Sequence, residues 1–74
     1  MSKLPVVSGN RAIRAFERHG WVVARRESTH VTMKKRGIRF LLTVPLHREL
    51  DRGALRRLIR DAALTVEQFR ELLR

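Results

Sequence analysis

Cysteine is absent from this 74-residue sequence, and so are long apolar runs. Without cysteine the chain can form no disulfide, no thiolate metal site and no cysteine nucleophile. No apolar run approaches the roughly 18 residues that a membrane-spanning helix needs, and the N-terminus lacks the apolar segment of a secretory signal. We therefore expect a cytoplasmic protein.

Acidic residues are also scarce, particularly in the first part of the chain. The sequence has 17 Lys and Arg against 7 Asp and Glu, a net charge of +10. Residues 1–44 carry ten basic and two acidic side chains, whereas residues 45–74 carry seven and five. Such a field attracts polyanions, so nucleic acid is the leading partner, although charge alone also fits an acidic membrane or an acidic protein.

Metal chemistry has little support in the sequence. A Mg²⁺ site needs carboxylates, and the basic part of the chain offers only Glu17 and Glu27. The three histidines, His19, His30 and His47, show no zinc spacing. We expect no metal and no other cofactor.

The helices are marked by residues that commonly cap their ends. Ser8, Asp51 and Thr65 are predicted N-caps. Gln68 stands three residues after Thr65, the spacing of a capping box. The first helix is predicted to run to about residue 19, where Gly20 can adopt the left-handed conformation that ends a helix.

Three runs between the first and second helices have the composition of strands. They are Trp21–Arg26, Thr29–Lys35 and Ile38–Val44. Gly37 can take the positive φ of a tight hairpin turn, so the second and third strands should be antiparallel neighbours, and Pro45 should end the third.

This order, α-β-β-β-α-α, predicts a single α+β domain over residues 1–74. We expect a three-stranded antiparallel sheet with the helices on one face, and a shallow surface site because so small a chain cannot enclose a deep pocket.

Alternation along the strands separates the two faces of this sheet. The face against the helices is predicted to carry Val31, Met33, Phe40 and Leu42. The open face is predicted to carry His30, Thr32, Lys34, Arg39, Leu41 and Thr43. The open face is thus polar and cationic, and it contains one imidazole.

His30 is the candidate catalytic residue. Attack of a ribose 2′-hydroxyl on the adjacent phosphate needs a group that moves a proton near neutral pH, and imidazole, with an ordinary pKa of about 6.5, is suited to this. Neighbouring cations such as Arg26, Lys34, Lys35 and Arg39 would offset the charge that develops on the phosphorane oxygens. The alternative is a surface histidine without a role.

Two further features have structural as well as functional interpretations. Arg11, Arg14 and Arg18 form a cationic ridge on the first helix, which either binds phosphates or is simply solvated. His47 fits a structural hydrogen-bonding role better than a chemical one.

Six segments in sequence resemble the HicA family of mRNA interferase toxins. They are Leu4-Pro5-Val6-Val7-Ser8-Gly9, Gly20-Trp21, Ser28-Thr29-His30, Thr43-Val44-Pro45-Leu46-His47, Gly53-x-Leu55-x-x-Leu58-Ile59 and Ala63-Leu64-Thr65-x-x-x-Phe69. The family has a glycine before its Ser-His pair, and Glu27-Ser28-Thr29 stands there in this chain.

The resemblance implies a double-stranded-RNA-binding-like fold, a toxin that cleaves mRNA, and His30 as the catalytic residue. It also implies a heteromeric complex with a HicB-type antitoxin that covers the site. From the residues themselves we expect cleavage without a metal and no membrane partner. We predict that RNA is bound by Arg25, Arg26, Lys34, Lys35, Arg36 and Arg39. We predict that Ser28, Thr29 and Thr32 support the site.

Two other functions remain open at this point. The chain could be a non-catalytic double-stranded-RNA-binding module, since charge and strand order alone suit one. Its cationic face could also serve chiefly to dock an acidic antitoxin, with toxicity lost through the change at Glu27 and Ser28.

Overall fold

The predicted α+β architecture is confirmed in a computed structural model, which describes residues 3–74. The elements are α1 (Gly9–Arg18), β1 (Val22–Arg26), β2 (His30–Lys34), β3 (Leu42–Pro45), α2 (Arg52–Asp61) and α3 (Val66–Leu72). The order α-β-β-β-α-α and the single antiparallel sheet are those expected. None of the helices within residues 3–74 is long and apolar enough to cross a membrane.

Each helix begins at the predicted cap. The Ser8 hydroxyl accepts a hydrogen bond from the Arg11 amide at 3.1 Å, and the Asp51 carboxylate accepts one from the Ala54 amide at 3.1 Å. Thr65 and Gln68 form the reciprocal capping box, with bonds of 2.8 and 3.1 Å. In each of these helices one otherwise unpaired first-turn amide is therefore satisfied by the cap side chain.

The first two helices end in the same way with different residues. Gly20 has φ of 99°, and the following amide of Trp21 donates back to the Phe16 carbonyl at 3.1 Å. Ala63 has φ of 61°, and the Leu64 amide likewise donates back into α2. Both ends are Schellman motifs. Gly20 adopts the left-handed conformation without strain, whereas the Cβ of Ala63 makes this conformation unfavourable.

The sheet has the strand order β1-β2-β3, with both pairs antiparallel. Val31 pairs with Val44 and Met33 with Leu42, and all four side chains are buried. The pairing of β1 with β2 shifts between Val23 and Arg25, so β1 has a bulge there.

The third strand is shorter than predicted and lies later in the chain. Pairing begins at Leu42 and continues through Pro45. Pro45 was predicted to stop the strand at Val44, but it is itself the last paired residue. The predicted turn forms, because Gly37 has φ of 85° and the Ile38 amide donates to the Lys35 carbonyl. Ile38 then packs against the core, and the chain returns to the ladder only at Leu42.

The prediction that Phe40 points into the core is wrong. Its side chain is 52% exposed, because residues 38–41 lie outside the strand and strand alternation no longer orients them. For the same reason alternation does not place Arg39 and Leu41, although both are exposed.

The core joins one sheet face to all three helices. Phe16 of α1 and Phe69 of α3 are fully buried, with ring centroids 5.3 Å apart. Gly9 brings the start of α1 against β3: its amide donates to the His47 carbonyl, and a Cβ there would lie 2.0 Å from the Pro45 carbonyl oxygen. Glycine is needed at position 9 because backbone occupies the space of a side chain.

Candidate functional site

His30 lies at the start of β2, opposite the end of β1. The Glu27 amide donates to the His30 carbonyl at 2.9 Å, so a two-residue turn of Ser28 and Thr29 joins the strands. The alternation that buries Val31 places His30 on the open face of the sheet. Its side chain is 38% exposed and remains accessible to a ligand.

The imidazole of His30 is held at both of its nitrogens. Its Nε2 lies 2.6 Å from Oε1 of Glu27, and its Nδ1 lies 3.1 Å from the Thr29 hydroxyl. With Nε2 donating to the carboxylate, a neutral ring carries its proton on Nε2, and Nδ1 can accept from the hydroxyl. Local contacts therefore set both the orientation of the ring and its preferred tautomer.

Glu27 is a candidate site residue that the sequence reasoning missed. The structure pairs its carboxylate with His30. A signal was present, because residues on either side of a two-residue hairpin turn face each other across the ladder. Glu27 and His30 stand in that relation around Ser28-Thr29.

The turn that aims His30 does not require the glycine found in the resembling family. Positive φ within residues 3–74 occurs at Gly20, Gly37 and Ala63, and not at Ser28 or Thr29. Both turn residues therefore occupy backbone conformations that ordinary side chains accept.

Of the predicted supporting residues, Thr29 contacts the histidine directly, and Thr32 and Arg25 lie beyond it on the same face of the sheet. Thr32 stands in the middle of the sheet, where it pairs with Arg25 of β1 and Thr43 of β3. Arg25 is thus a diagonal neighbour of His30, a relation that places Cα atoms roughly 7–8 Å apart. Arg26 is exposed, but it pairs with the buried Val31, so its register corresponds to the other face.

The remaining four predicted RNA-binding residues lie at the other end of β2. They are Lys34, Lys35, Arg36 and Arg39. Lys34 is four residues along the strand from His30, which corresponds to about 13 Å. Of the predicted cations on the open face, Arg25 therefore lies beside His30, whereas the group at the other end of β2 lies away from it.

The ridge on α1 is largely engaged with the C-terminal end of the chain. Arg11 donates to the Leu73 carbonyl at 3.4 Å, and Arg18 donates to the carbonyls of Leu72 and Arg74. These arginines satisfy carbonyls at the end of α3, where positive charge is favourable. The structure thus gives two residues of the ridge a structural role.

His47 makes its contact with α1 through the backbone. Its carbonyl accepts the Gly9 amide at 2.9 Å, while its side chain is exposed. The described residues contain no group of three His, Cys, Asp or Glu side chains that could hold a metal ion. The chemical groups at the site are an imidazole, a carboxylate, hydroxyls and a guanidinium.

Comparison with protein families gives a match over most of the chain. The family model described as the HicA toxin of bacterial toxin-antitoxin matches residues 9–64, from the start of α1 to just beyond α2. The matched region includes the whole sheet and His30, and it covers more than half of the chain. A search of curated proteins gives no match.

Proposed function

The chain belongs to the HicA toxin family, and from its place as a toxin of a toxin-antitoxin system we propose that it cleaves mRNA by proton transfer at His30. The observation that carries this proposal is a partly exposed imidazole on a cationic open sheet face, oriented by a carboxylate and a hydroxyl. We further propose that the chain is one domain, that its substrate places its action in the cytoplasm, and that a HicB-type antitoxin neutralises it.

The proposed reaction is transfer of the phosphate to the neighbouring 2′-hydroxyl. The 2′-oxygen forms a bond to phosphorus as its proton leaves, and the bond from phosphorus to the 5′-oxygen breaks as that oxygen gains a proton. The products are a 2′,3′-cyclic phosphate and a 5′-hydroxyl. No oxidant or metal is needed, because the step moves only protons and one phosphoryl bond.

His30 takes the proton-transfer role in this scheme. Glu27 holds the proton of the neutral ring on Nε2, which leaves Nδ1 as the basic nitrogen. Nδ1 faces the Thr29 hydroxyl, so a substrate hydroxyl would replace or share that contact. Glu27 is accordingly a positioning residue, and it also stabilises the imidazolium that forms when Nδ1 takes a proton.

Arg25 and the more distant cations have an electrostatic role. Arg25 is the predicted RNA-binding cation nearest to His30 on the open face, where it would offset charge on the phosphorane oxygens. Lys34, Lys35 and Arg36 would hold the RNA backbone further along, through phosphate contacts that carry no sequence preference.

The test is RNA cleavage by the purified chain in excess EDTA, with His30→Ala and His47→Ala compared with the parent. We expect the parent and His47→Ala to cleave equally and His30→Ala to lose about 10²- to 10⁴-fold in rate, the usual contribution of general acid–base catalysis. Product ends are read by mass spectrometry for the cyclic phosphate.

Three results would overturn the proposal. Cleavage by His30→Ala at the parent rate would exclude proton transfer at His30. Cleavage that vanishes in EDTA would mean that a metal performs the chemistry. Salt-sensitive binding of double-stranded RNA that leaves the RNA intact would instead support the non-catalytic binding module.

A further inference from the structure

The end of the open face away from His30 contains a groove whose apolar side chains have no role in the proposed cleavage. We call it the far groove. It has a volume of about 630 Å³ and is lined by Gly20, Val22, Lys34, Lys35, Arg36, Ile38 and Leu41. Val22 pairs with Lys34 across the sheet, and Leu41 immediately precedes the first paired residue of β3, so the groove crosses the sheet from edge to edge.

The far groove concentrates exposed apolar surface. Among the described residues the exposed large hydrophobic side chains are Val6, Val22, Phe40 and Leu41. Val22 and Leu41 line the groove, and Phe40 precedes Leu41 in the chain. Val22 is 51% exposed and Leu41 56%. Isolated exposed apolar residues are ordinary, but several grouped in a concave site, with charges around them, mark an interaction surface.

The charged residues that line the far groove have one sign. They are Lys34, Lys35 and Arg36. A partner that fits must therefore present apolar side chains flanked by carboxylates.

The aliphatic lining favours a protein partner over RNA. Nucleic acids are held by cations on phosphates and by flat aromatic or guanidinium surfaces on bases. Lys34, Lys35 and Arg36 can contact either kind of partner. Val22, Ile38 and Leu41, however, offer no contact that RNA uses, whereas removing their apolar surface from water favours a protein complex. The partner that family membership supplies is the antitoxin.

We propose that the far groove is the docking site for an acidic, apolar segment of the antitoxin. This inference rests on the pairing of a HicA toxin with an antitoxin and not on RNA cleavage by His30. The groove is about 13 Å from His30, the length of four strand residues. A partner anchored there can extend over the histidine, since an ordinary interface spans roughly 800 Å² on each protein.

The test measures binding of the cognate antitoxin by calorimetry, with every toxin variant carrying His30→Ala so that toxicity does not interfere. Val22→Ser with Leu41→Ser should weaken binding at least about tenfold, because two buried apolar contacts are lost. Val6→Ser is the matched control: Val6 is 70% exposed on a different surface, beside Arg11 and Arg70, and its change should leave affinity within about twofold.

A second measurement separates docking from cleavage. In the chain with His30 intact, the Val22→Ser and Leu41→Ser pair should cleave RNA at the parent rate within about twofold, since neither residue has a role in the proposed reaction. Co-expressed antitoxin should then fail to suppress its toxicity. If the double variant does not fold, Val22→Thr, which preserves the side-chain shape, should still weaken antitoxin binding about threefold.

The outcomes distinguish the possible occupants. Unchanged antitoxin affinity in a folded double variant overturns the docking proposal. A raised KM for RNA with unchanged antitoxin affinity assigns the far groove to RNA instead. If His30→Ala proves fully active, the cleavage proposal fails while the docking measurement stands, because it does not involve the reaction.

Discussion

The two ends of the open sheet face are built differently. At one end Glu27, Thr29 and His30 contact one another at hydrogen-bonding distance. At the other end Val22, Lys34 and Leu41 line an open groove of about 630 Å³. The polar end has partners within the chain, whereas the apolar and cationic end presents its surface outward.

This difference fits the roles that we propose for the two ends. Proton transfer needs groups whose orientation is established before the substrate arrives, and internal hydrogen bonds supply that orientation. Docking gains its free energy by removing apolar surface from water, so that surface must be left uncovered until the partner binds. Separate ends of one small sheet can therefore serve separate partners.

Among the changes compared below, the largest effect on stability is expected from Gly9→Ala, which disturbs the β3 backbone that pairs with His30. The new Cβ would lie 2.0 Å from the carbonyl oxygen of Pro45, the residue that pairs with His30. We expect the free energy of unfolding to fall by about 2–3 kcal/mol, as in overpacked cores. Urea denaturation provides the measurement.

Gly53→Ala is the matched control for this change. Gly53 is also near the start of a helix, but the nearest atom to its added Cβ is the terminal Asp51 carboxylate oxygen at 3.2 Å. Its stability should stay within about 1 kcal/mol of the parent. Equal losses at both positions would show that the contact between Gly9 and Pro45 is not special.

An intermediate effect is expected from Glu27→Ala, which removes the carboxylate at Nε2 of His30. We expect kcat for RNA cleavage to fall about tenfold, about 1.4 kcal/mol in the barrier, because the ring loses its orientation and its preferred tautomer. The ¹⁵N shifts of the imidazole should report a changed tautomer balance.

Glu17→Ala removes the same charge from an exposed position on α1. Both variants make the chain more positive, so both should lower KM for RNA slightly, but Glu17→Ala should leave kcat unchanged. A parental kcat in Glu27→Ala would contradict the positioning role and would make the two ends of the face less different than proposed.

The smallest effect is expected from Ala63→Gly, at a helix end that belongs to neither end of the open face. Ala63 has φ of 61°, which costs a residue with a Cβ about 1 kcal/mol. Glycine should raise the free energy of unfolding by about that amount without changing cleavage or antitoxin binding. Thermal denaturation would measure the change in stability.

The reciprocal change, Gly20→Ala, should lower stability by about 1–2 kcal/mol, because Gly20 has φ of 99° in the same kind of helix end. If Ala63→Gly also altered cleavage, activity at the open face would depend on global stability. The roles of its two ends could then not be assigned from local contacts alone.

Local sequence signals determined most of the fold. Capping at Ser8, Asp51 and Thr65 depends on side chains and amides three residues apart, so it can be read without knowledge of the tertiary structure. Alternation in β2 likewise placed Val31 and Met33 in the core. These predictions succeeded because each depends on neighbours within one element.

Alternation failed at Phe40, where the chain leaves the ladder after the turn at Gly37. Whether a residue pairs in the ladder depends on the position of the partner strand and on which side chains fit in the core. Ile38, which packs against the core, and Leu42, which returns to the ladder, together displace the residues between them. The sequence between 38 and 44 reads as a strand throughout.

The sequence by itself also determined which histidine to examine, since His30 alternates with buried residues of β2 and lies within the family motif. Only the tertiary structure decided what surrounds it. Whether two side chains form a hydrogen bond depends on differences in distance of a few tenths of an ångström. The hairpin geometry sets these distances, and it brings the Glu27 carboxylate within hydrogen-bonding distance of the imidazole.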